Sequence, residues 1–232
     1  MKAVILVAGE GKRLRPLTDH IPKAMVRVGG KPIIEYTLGI LPPQISEVIL
    51  VVGYRRKVIR QHLGSSFGRL KLTYVKQLEP KGTGDALLRA RPFLDDQPFM
   101  VLYGDDLYHP EDLAACIGEK PKVLVKESKN PERFGVCLID DHDKLVEILE
   151  KRPNPPTNLV NIGVYLLTKD ILEVPLAQIP NGEYNLAEQI GVMAKERNIF
   201  IERSRFWHPI GYPRDLEPAE KFLALPLELR LN

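Results

Sequence analysis

The chain has 232 residues, 44% of them hydrophobic and 27% charged, which is ordinary for a globular protein and long enough to bury a full core. Its net charge of +3 is too small to indicate a nucleic-acid-binding surface, and no stretch holds the roughly 18 uncharged apolar residues that a membrane helix needs. The N-terminus lacks the layout of a signal peptide, so we expect a cytoplasmic protein with neither nucleic-acid nor membrane partners.

The chain begins with a predicted strand that leads into a cationic loop. An unbroken apolar run over residues 3–8 predicts the strand, and Gly9 and Gly11 then allow a tight turn close to a ligand, because glycine has no Cβ. Residues 1–25 hold five lysines and arginines against two acidic residues, an excess equal to the net charge of the whole chain. The loop therefore predicts an anion-binding site.

Two common nucleotide-binding motifs fit this loop poorly. A dinucleotide fingerprint has a third glycine where Leu14 stands. A P-loop has Ser or Thr directly after its Gly-Lys pair, where this chain has Arg13. Neither motif accounts for the loop.

Beyond the loop, strands and helices alternate through the first half of the chain, and strands dominate the second. The alternation is typical of a mainly parallel sheet covered by helices. The predicted helices cover residues 32–41, 55–63, 85–91, 186–195 and 214–225. The predicted strands cover residues 47–53, 70–75, 99–103, 122–126, 134–139, 145–149, 159–167 and 199–202. No internal repeat or linker interrupts the pattern, so we expect one domain over residues 1–232.

The cysteines and histidines indicate no reactive or metal-binding cluster. Cys116 and Cys137 lie in apolar stretches without a Cys-x-x-Cys motif, so we expect two buried thiols. The five histidines show no metal-ligand spacing.

Two polar segments follow predicted strands in the first half. Gln77, whose amide can donate and accept hydrogen bonds, precedes a Gly-Thr-Gly-Asp run in which Thr83 or Asp85 could equally cap the next helix. Asp105 follows a glycine at the end of a buried strand and is the kind of oxygen ligand that Mg²⁺ prefers. Because the carboxyl ends of parallel strands meet at one sheet edge, we expect these segments and the cationic loop to converge there.

The loop and the residues after it resemble a family signature. The run Gly9-Glu10-Gly11-Lys12-Arg13-Leu14-Arg15-Pro16-Leu17-Thr18, followed by Pro22-Lys23 and by Val28 to Tyr36, is similar to that of the sugar-1-phosphate nucleotidylyltransferases. The resemblance implies an α/β fold, a Rossmann-like (glycosyltransferase-A-like) three-layer sandwich with a mixed, mainly parallel central sheet. It implies a nucleotidyltransferase that converts a nucleoside triphosphate and a sugar-1-phosphate to a nucleotide sugar and pyrophosphate.

The resemblance also implies roles for individual residues. Catalytic roles fall to Arg13, Lys23 and Asp105, with Asp105 holding Mg²⁺ as the cofactor. Nucleotide-binding roles fall to Ala8, Gly9, Gly11, Lys12, Gln77, Gly82 and Thr83, and Gln77 favours UTP or dTTP. Sugar-phosphate-binding roles fall to Tyr103, Gly135, Glu150, Lys151 and Asn161. Residues 1–110 would then form the nucleotide- and metal-binding half of the domain, and residues 111–232 the sugar-phosphate-binding half.

One position departs from the family pattern. The segment Trp207 to Leu216 resembles a family segment in which an Asp supplies the second metal ligand, and that position is Pro209, whose side chain cannot bind a metal. Asp106, His208 or water are the alternatives for the second ligand. A catalytically weak, nucleotide-binding regulatory homologue is therefore an alternative function, as is a cytidylyl- or guanylyltransferase on the same fold.

The chain ends near its last predicted helix without the hexapeptide repeats of a fused acyltransferase, so we expect a monofunctional enzyme. The identity of the base, the sugar and the oligomeric state, a homo-oligomer included, stay open at this level.

Overall fold

The computed structural model describes residues 1–225. Its strands are β1 Lys2–Val7, β2 Arg27–Val28, β3 Lys31–Pro32, β4 Glu47–Val52, β5 Ser66–Phe67, β6 Leu70–Lys76, β7 Phe99–Tyr103, β8 Leu107–Tyr108, β9 Lys122–Glu127, β10 Gly135–Ile139, β11 Leu145–Glu150, β12 Leu159–Leu167, β13 Phe200–Arg203 and β14 Trp207–His208. Its α-helices are α1 Ile33–Gly39, α2 Arg56–Leu63, α3 Thr83–Arg89, α4 Pro110–Cys116, α5 Leu186–Ala194 and α6 Leu216–Ala224. No helix within this part of the chain is long and apolar enough to cross a bilayer.

A mixed sheet runs through the molecule in the order β11-β10-β12-β7-β1-β4-β6-β5, with β9 paired to β12 and β13 paired to β9. The neighbours β7, β1, β4 and β6 are parallel, whereas β12 joins β7 in the antiparallel sense. Strand β1 is buried along almost its whole length, as a strand covered on both faces must be. The predicted α/β class is confirmed.

Helices cover both faces of the sheet and produce the predicted three layers. On one face, apolar residues of α1, α2 and α4, such as Ile34, Ile59 and Leu113, pack on one set of strand residues. On the other face, α3 and α5 pack on the alternate set, with Leu87 and Ile190 in that core. Successive strand residues point to opposite faces, so a single apolar run supplies both cores.

The structure corrects several predicted elements. Helix α3 begins at Thr83, two residues before the predicted start. Gly84 therefore lies inside the helix, although glycine is a poor helix former. Helix α4 was not predicted; its cap is His109, whose Nδ1 accepts a hydrogen bond from the Glu111 N–H at 3.2 Å, and histidine is an unusual capping residue. The last helix begins at Leu216, after a 3₁₀ turn over Pro213–Asp215.

The two cysteines are buried free thiols, as predicted. Burial raises the pKa of both Cys116 and Cys137 to about 12. Because a thiol reacts as its thiolate, neither residue is a reactive nucleophile.

Candidate active site

A cleft of about 590 Å³ opens at the carboxyl ends of β1, β6 and β7. The second half of the chain supplies its other walls, from β10 to β12 and from residues 179–185 and 207–212. Thirteen of the fifteen predicted site residues line the cleft: Ala8, Gly9, Arg13, Lys23, Gln77, Gly82, Thr83, Tyr103, Asp105, Gly135, Glu150, Lys151 and Asn161. Gly11 and Lys12 do not line it.

The loop after β1 is shaped by Gly11, which has a φ of 68°. A Cβ at this position would lie 2.8 Å from the Cβ of Lys23, so glycine allows Lys23 to approach the loop. The Thr18 hydroxyl donates a hydrogen bond of 2.8 Å to the Gly11 carbonyl, and Leu14 is fully buried. Gly11 therefore shapes the site from behind.

Lys12 points away from the cleft. Its side chain is 70% exposed and its Nζ lies 3.5 Å from a carboxylate oxygen of Glu10. The structure thus separates Lys12 from Arg13, which lines the cleft. A nucleotide-binding role for Lys12 is not supported by this geometry.

Lys23 lies beside two carboxylates at the end of β7. Its Nζ is 2.7 Å from Asp105 Oδ2 and 3.7 Å from Asp106 Oδ1. Burial lowers the pKa of Lys23, but the two carboxylates outweigh it, so that the pKa is raised above its ordinary value. Lys23 is therefore a permanently charged cation on the floor of the cleft.

Asp106 connects the end of β7 to the segment that follows β14. Its Oδ2 accepts a hydrogen bond of 3.1 Å from the Trp207 indole N–H, and its Oδ1 accepts one of 2.9 Å from the Ile210 backbone N–H. Burial raises the pKa of Asp106, and Lys23 opposes the shift. With both oxygens in use, Asp106 is a structural link and a poor second metal ligand.

The other side-chain candidate for the second metal ligand, His208, is also engaged in a hydrogen bond. His208 Nε2 donates a hydrogen bond of 2.8 Å to the Asp215 carbonyl, and Pro209 lines the cleft without a side-chain donor atom. Within residues 1–225, no group of three or more His, Cys, Asp or Glu side chains could enclose a metal ion. Asp105 is nevertheless accessible, and Mg²⁺ commonly binds one or two carboxylates together with water and substrate phosphates. The donor set fits an ion that shares its ligands with a nucleotide.

Gln77 and the start of α3 form one end of the cleft. Gln77 is 6% exposed, and its Nε2 donates hydrogen bonds to the Gly82 carbonyl at 2.9 Å and to Asp85 Oδ2 at 2.8 Å. Gly82 has a φ of 100° and is the N-terminal cap of α3 without any side-chain cap. The capping roles considered for Thr83 and Asp85 are therefore wrong.

Thr83 instead ties this end of the cleft to the second half of the chain. Its hydroxyl oxygen accepts a hydrogen bond of 2.9 Å from the Leu186 N–H at the start of α5. The backbone of Tyr184 bonds on both sides, to the Lys81 carbonyl at 2.8 Å and from the Gly84 N–H at 2.9 Å. Residues 181–185 therefore form a wall over the loop that begins with Gln77.

Glu150 and Gly135 face each other across β10 and β11 at the opposite wall. The Glu150 carboxylate occupies the space that a side chain at position 135 would need. Its Oε1 lies 3.5 Å from Lys151 Nζ. Burial raises the pKa of Glu150, and Lys151 opposes the shift.

Asn161 is held by its own strand. Its Oδ1 accepts a hydrogen bond of 3.0 Å from the Gly163 N–H, and its Nδ2 donates one of 2.7 Å to the Tyr165 hydroxyl. Tyr165 in turn donates to the Tyr103 hydroxyl at 3.3 Å, and burial raises the pKa of Tyr103 to about 12. One N–H and one lone pair of the Asn161 amide are left for a ligand.

The sequence interpretation missed a cluster of arginines around Tyr212. The guanidinium carbons of Arg13, Arg133 and Arg214 lie 5.0, 5.5 and 4.9 Å from the centre of its ring. A hydrogen bond to Arg13 and the charge of Arg13 lower the pKa of the Tyr212 hydroxyl. Within residues 1–225, none of the three arginines has a carboxylate in ion-pair range, so their charges are available to an anion.

The only sequence signal for this cluster is that two of its members lie next to segments that resemble the family. Arg133 directly precedes the Phe-Gly pair of β10, and Tyr212 lies inside the Trp207 to Leu216 segment, but neither residue carries a motif of its own. Only the fold brings them beside Arg13.

The cleft as a whole has cations at one wall, a carboxylate on its floor and polar groups at both ends. This arrangement suits a phosphorylated ligand with two polar parts.

Comparisons with known proteins agree with this description. Residues 2–225 match the family described as nucleotidyl transferase. The chain is 37% identical over 226 residues to the bifunctional protein GlmU of Methanocaldococcus jannaschii, covering 96% of this chain and 54% of that protein. It is 37% identical over 240 residues to the UTP–glucose-1-phosphate uridylyltransferase AglF of Haloferax volcanii, covering 96% of each. The chain thus spans about half the length of the GlmU relatives that it matches.

Solved structures show the same fold. A UDP-glucose pyrophosphorylase complexed with UDP-glucose has a TM-score of 0.85 at 23% identity, with 95% of this chain and 97% of that chain covered. A UTP-bound UGPase from Acinetobacter baumannii also has a TM-score of 0.85 at 23% identity, with 99% and 95% covered.

Proposed function

The chain belongs to the nucleotidyl transferase family, and from that membership we propose that it transfers a nucleotidyl group from a nucleoside triphosphate to a sugar-1-phosphate, giving a nucleotide sugar and pyrophosphate. UTP or dTTP is the proposed nucleotide. The name of the Haloferax volcanii relative, a UTP–glucose-1-phosphate uridylyltransferase, supports a pyrimidine nucleotide and a hexose-1-phosphate.

One observation carries the proposal. A single cleft is lined by Lys23 and Asp105 from the first half of the chain, by Gln77 at one end, and by Glu150 and Asn161 from the second half. A nucleoside triphosphate and a sugar phosphate together need three kinds of group: a polar side chain that recognises the base, charged groups for the phosphates, and hydrogen-bond acceptors for the sugar hydroxyls.

The reaction needs positioning and charge stabilisation more than it needs a base. An oxygen of the sugar-1-phosphate attacks the α-phosphorus, a new P–O bond forms, and the bond to the β-phosphate breaks as pyrophosphate leaves. The attacking phosphate is already ionised, so no residue has to remove a proton. Lys23 neutralises the α-phosphate and the incoming phosphate, and Arg13 neutralises the leaving pyrophosphate.

Asp105 is the proposed ligand of Mg²⁺. Members of this family generally use a divalent metal ion. A bound Mg²⁺ supplies further neutralisation of the phosphate oxygens. The Asp105 carboxylate lies 2.7 Å from Lys23 Nζ on the floor of the cleft and is 31% exposed, so a metal ion can reach it. Arg133 adds a second cation beside Arg13 at the cleft wall formed with Tyr212.

On the acceptor side, Glu150 and Asn161 offer oxygens to sugar hydroxyls, and Lys151 meets the sugar phosphate as a point charge. The buried position of Glu150 strengthens any hydrogen bond it accepts, because the local dielectric is low. Gly135 leaves room for that carboxylate.

The test is a panel of UTP, dTTP, CTP, GTP and ATP, each with several sugar-1-phosphates and Mg²⁺, assayed for pyrophosphate release. We expect turnover with UTP or dTTP and a hexose-1-phosphate. Turnover with CTP or GTP alone would assign the chain to the cytidylyl- or guanylyltransferases. Tight nucleotide binding without turnover on any pair would favour the regulatory homologue to which Pro209 points.

A further inference from the structure

The amide of Gln77 is held in one orientation. Its Nε2 carries two N–H groups, and both are used, one by the Gly82 carbonyl at 2.9 Å and one by Asp85 Oδ2 at 2.8 Å. Its Oε1 has no hydrogen-bond donor among residues 1–225, and Gln77 lines the cleft. The group that Gln77 offers to a ligand is therefore an acceptor.

The opposite orientation is excluded by the neighbours. Turning the amide by half a rotation would place Oε1 against the Gly82 carbonyl and the Asp85 carboxylate, both of which are acceptors. It would also leave buried oxygens without donors, which is costly in a region as enclosed as this one. With an apolar residue at position 85, only the Gly82 carbonyl would oppose the turned amide.

Asp85 can hold this position because it is itself paired. It is 4% exposed, and Arg89 Nη2 lies 2.7 Å from its Oδ1. A buried carboxylate needs such a partner, since burial of an unpaired charge is strongly unfavourable. Arg89 is half exposed on α3, so a chain of contacts runs from the helix surface through Asp85 to Gln77.

We infer that Asp85 is a positioning residue for base selection, which keeps the Gln77 amide turned so that only Oε1 meets the base. This inference rests on the proposed function and names its substrate class more narrowly. Uracil and thymine carry an N–H at ring position N3, which donates to Oε1. Cytosine and adenine carry a bare ring nitrogen at the corresponding edge, and two acceptors would then face each other. Guanine carries an N–H there, so Asp85 separates UTP and dTTP from CTP and ATP only.

The experiment compares kcat/KM for UTP and for CTP in the wild type, in Asp85→Leu and in Asp85→Asn. We expect the wild type to prefer UTP, and the preference to fall about tenfold to a hundredfold in both variants. In Asp85→Leu only the Gly82 carbonyl still opposes the turned amide, so the orientation of Gln77 is held less strongly. In Asp85→Asn, which keeps the shape of the side chain and guards against misfolding, the new amide lets Gln77 accept as well as donate. The matched control is Glu217→Leu, which removes the carboxylate of another i,i+4 pair, with Lys221, on the surface of α6.

A merely structural role for Asp85 would lower kcat/KM for both nucleotides alike and leave their ratio unchanged. An unchanged ratio in a folded variant, or a wild type that prefers CTP, would overturn the inference while nucleotidyl transfer stood. If the wild type transferred no nucleotide on any pair, the proposed function would fail. Competition binding of UTP against CTP to the same proteins would then decide the inference alone, with no preference for UTP counting against it.

Discussion

Gly135 and Glu150 are directly opposed across β10 and β11, and a Cβ at Gly135 would lie 2.8 Å from the Glu150 Oε2. Gly135→Ala should therefore displace the carboxylate from its place in the cleft. We expect the KM for the sugar-1-phosphate to rise about tenfold, the magnitude of roughly one lost hydrogen bond to a charged group, with little change in the KM for the nucleotide. Gly118→Ala is the control, because nothing lies within 4 Å of its Cβ. A rise in the nucleotide KM instead would place Glu150 on the wrong substrate.

Lys23 and Asp105 form the charged floor of the cleft, with 2.7 Å between Nζ and Oδ2. Lys23→Met and Asp105→Asn should each lower kcat by about a hundredfold or more, because in the proposed mechanism Lys23 neutralises phosphate charge and Asp105 holds the Mg²⁺ that does the same. The measurement is pyrophosphate release at saturating Mg²⁺. Lys221→Met, an exposed lysine on α6, should keep full activity. Near-native turnover of either cleft variant would remove that residue from the proposed mechanism.

Burial raises the pKa of Glu150, and this has a consequence for stability. Because the folded state favours the protonated carboxyl, the wild type loses stability relative to Glu150→Gln as the pH rises from the pKa of Glu150 in the unfolded chain through its raised pKa in the folded protein. Below the pKa of the unfolded chain, both side chains are neutral and the difference disappears. Thermal unfolding of both proteins from about pH 4 to about pH 8 measures the effect. Glu119→Gln, at an exposed position, is the control; a relative stability that did not depend on pH would contradict the assignment.

Asp106 receives hydrogen bonds from Trp207 and Ile210, two residues far along the chain. Asp106→Ala leaves two donors without an acceptor, so we expect a loss of about 2–5 kcal/mol in the free energy of unfolding. Asp106→Asn keeps one acceptor and should lose less. Trp207 is the one tryptophan of the chain, so its fluorescence reports the change directly. If Asp106→Asn stayed fully stable but needed far more Mg²⁺ for activity, Asp106 would be a metal ligand after all.

Tyr212 stacks against Arg13, whose guanidinium carbon lies 5.0 Å from the ring centre. Tyr212→Leu removes this support, so the KM for the nucleotide should rise about two- to fivefold. Tyr74→Leu is the matched control, because it disrupts another arginine–tyrosine pair, with Arg60, outside the cleft. An equal effect of the two variants would show that the stack supports stability alone.

Local patterns were sufficient for most elements and for the edge at which the site lies. Unbroken apolar runs predicted the buried strands, and the strand ends before Gly9, Gln77 and Asp105 do meet in one cleft. Local patterns failed where a residue acts against its usual preference. Gly84 lies inside a helix because its hydrogen bond to the Tyr184 carbonyl outweighs the low helix propensity of glycine. His109 caps a helix because its Nδ1 accepts a hydrogen bond from the Glu111 N–H.

The sequence by itself determined the order of strands and helices, the cationic loop and the family, because each of these depends on neighbouring residues. The tertiary structure alone decided how the polar side chains are used. Asp106 meets Trp207 across 101 positions of sequence, and Tyr212 meets Arg13 from the other end of the chain. Even Gln77, identified from the sequence, received its orientation only from the fold, since an amide has two faces and its neighbours in space determine which one a ligand meets.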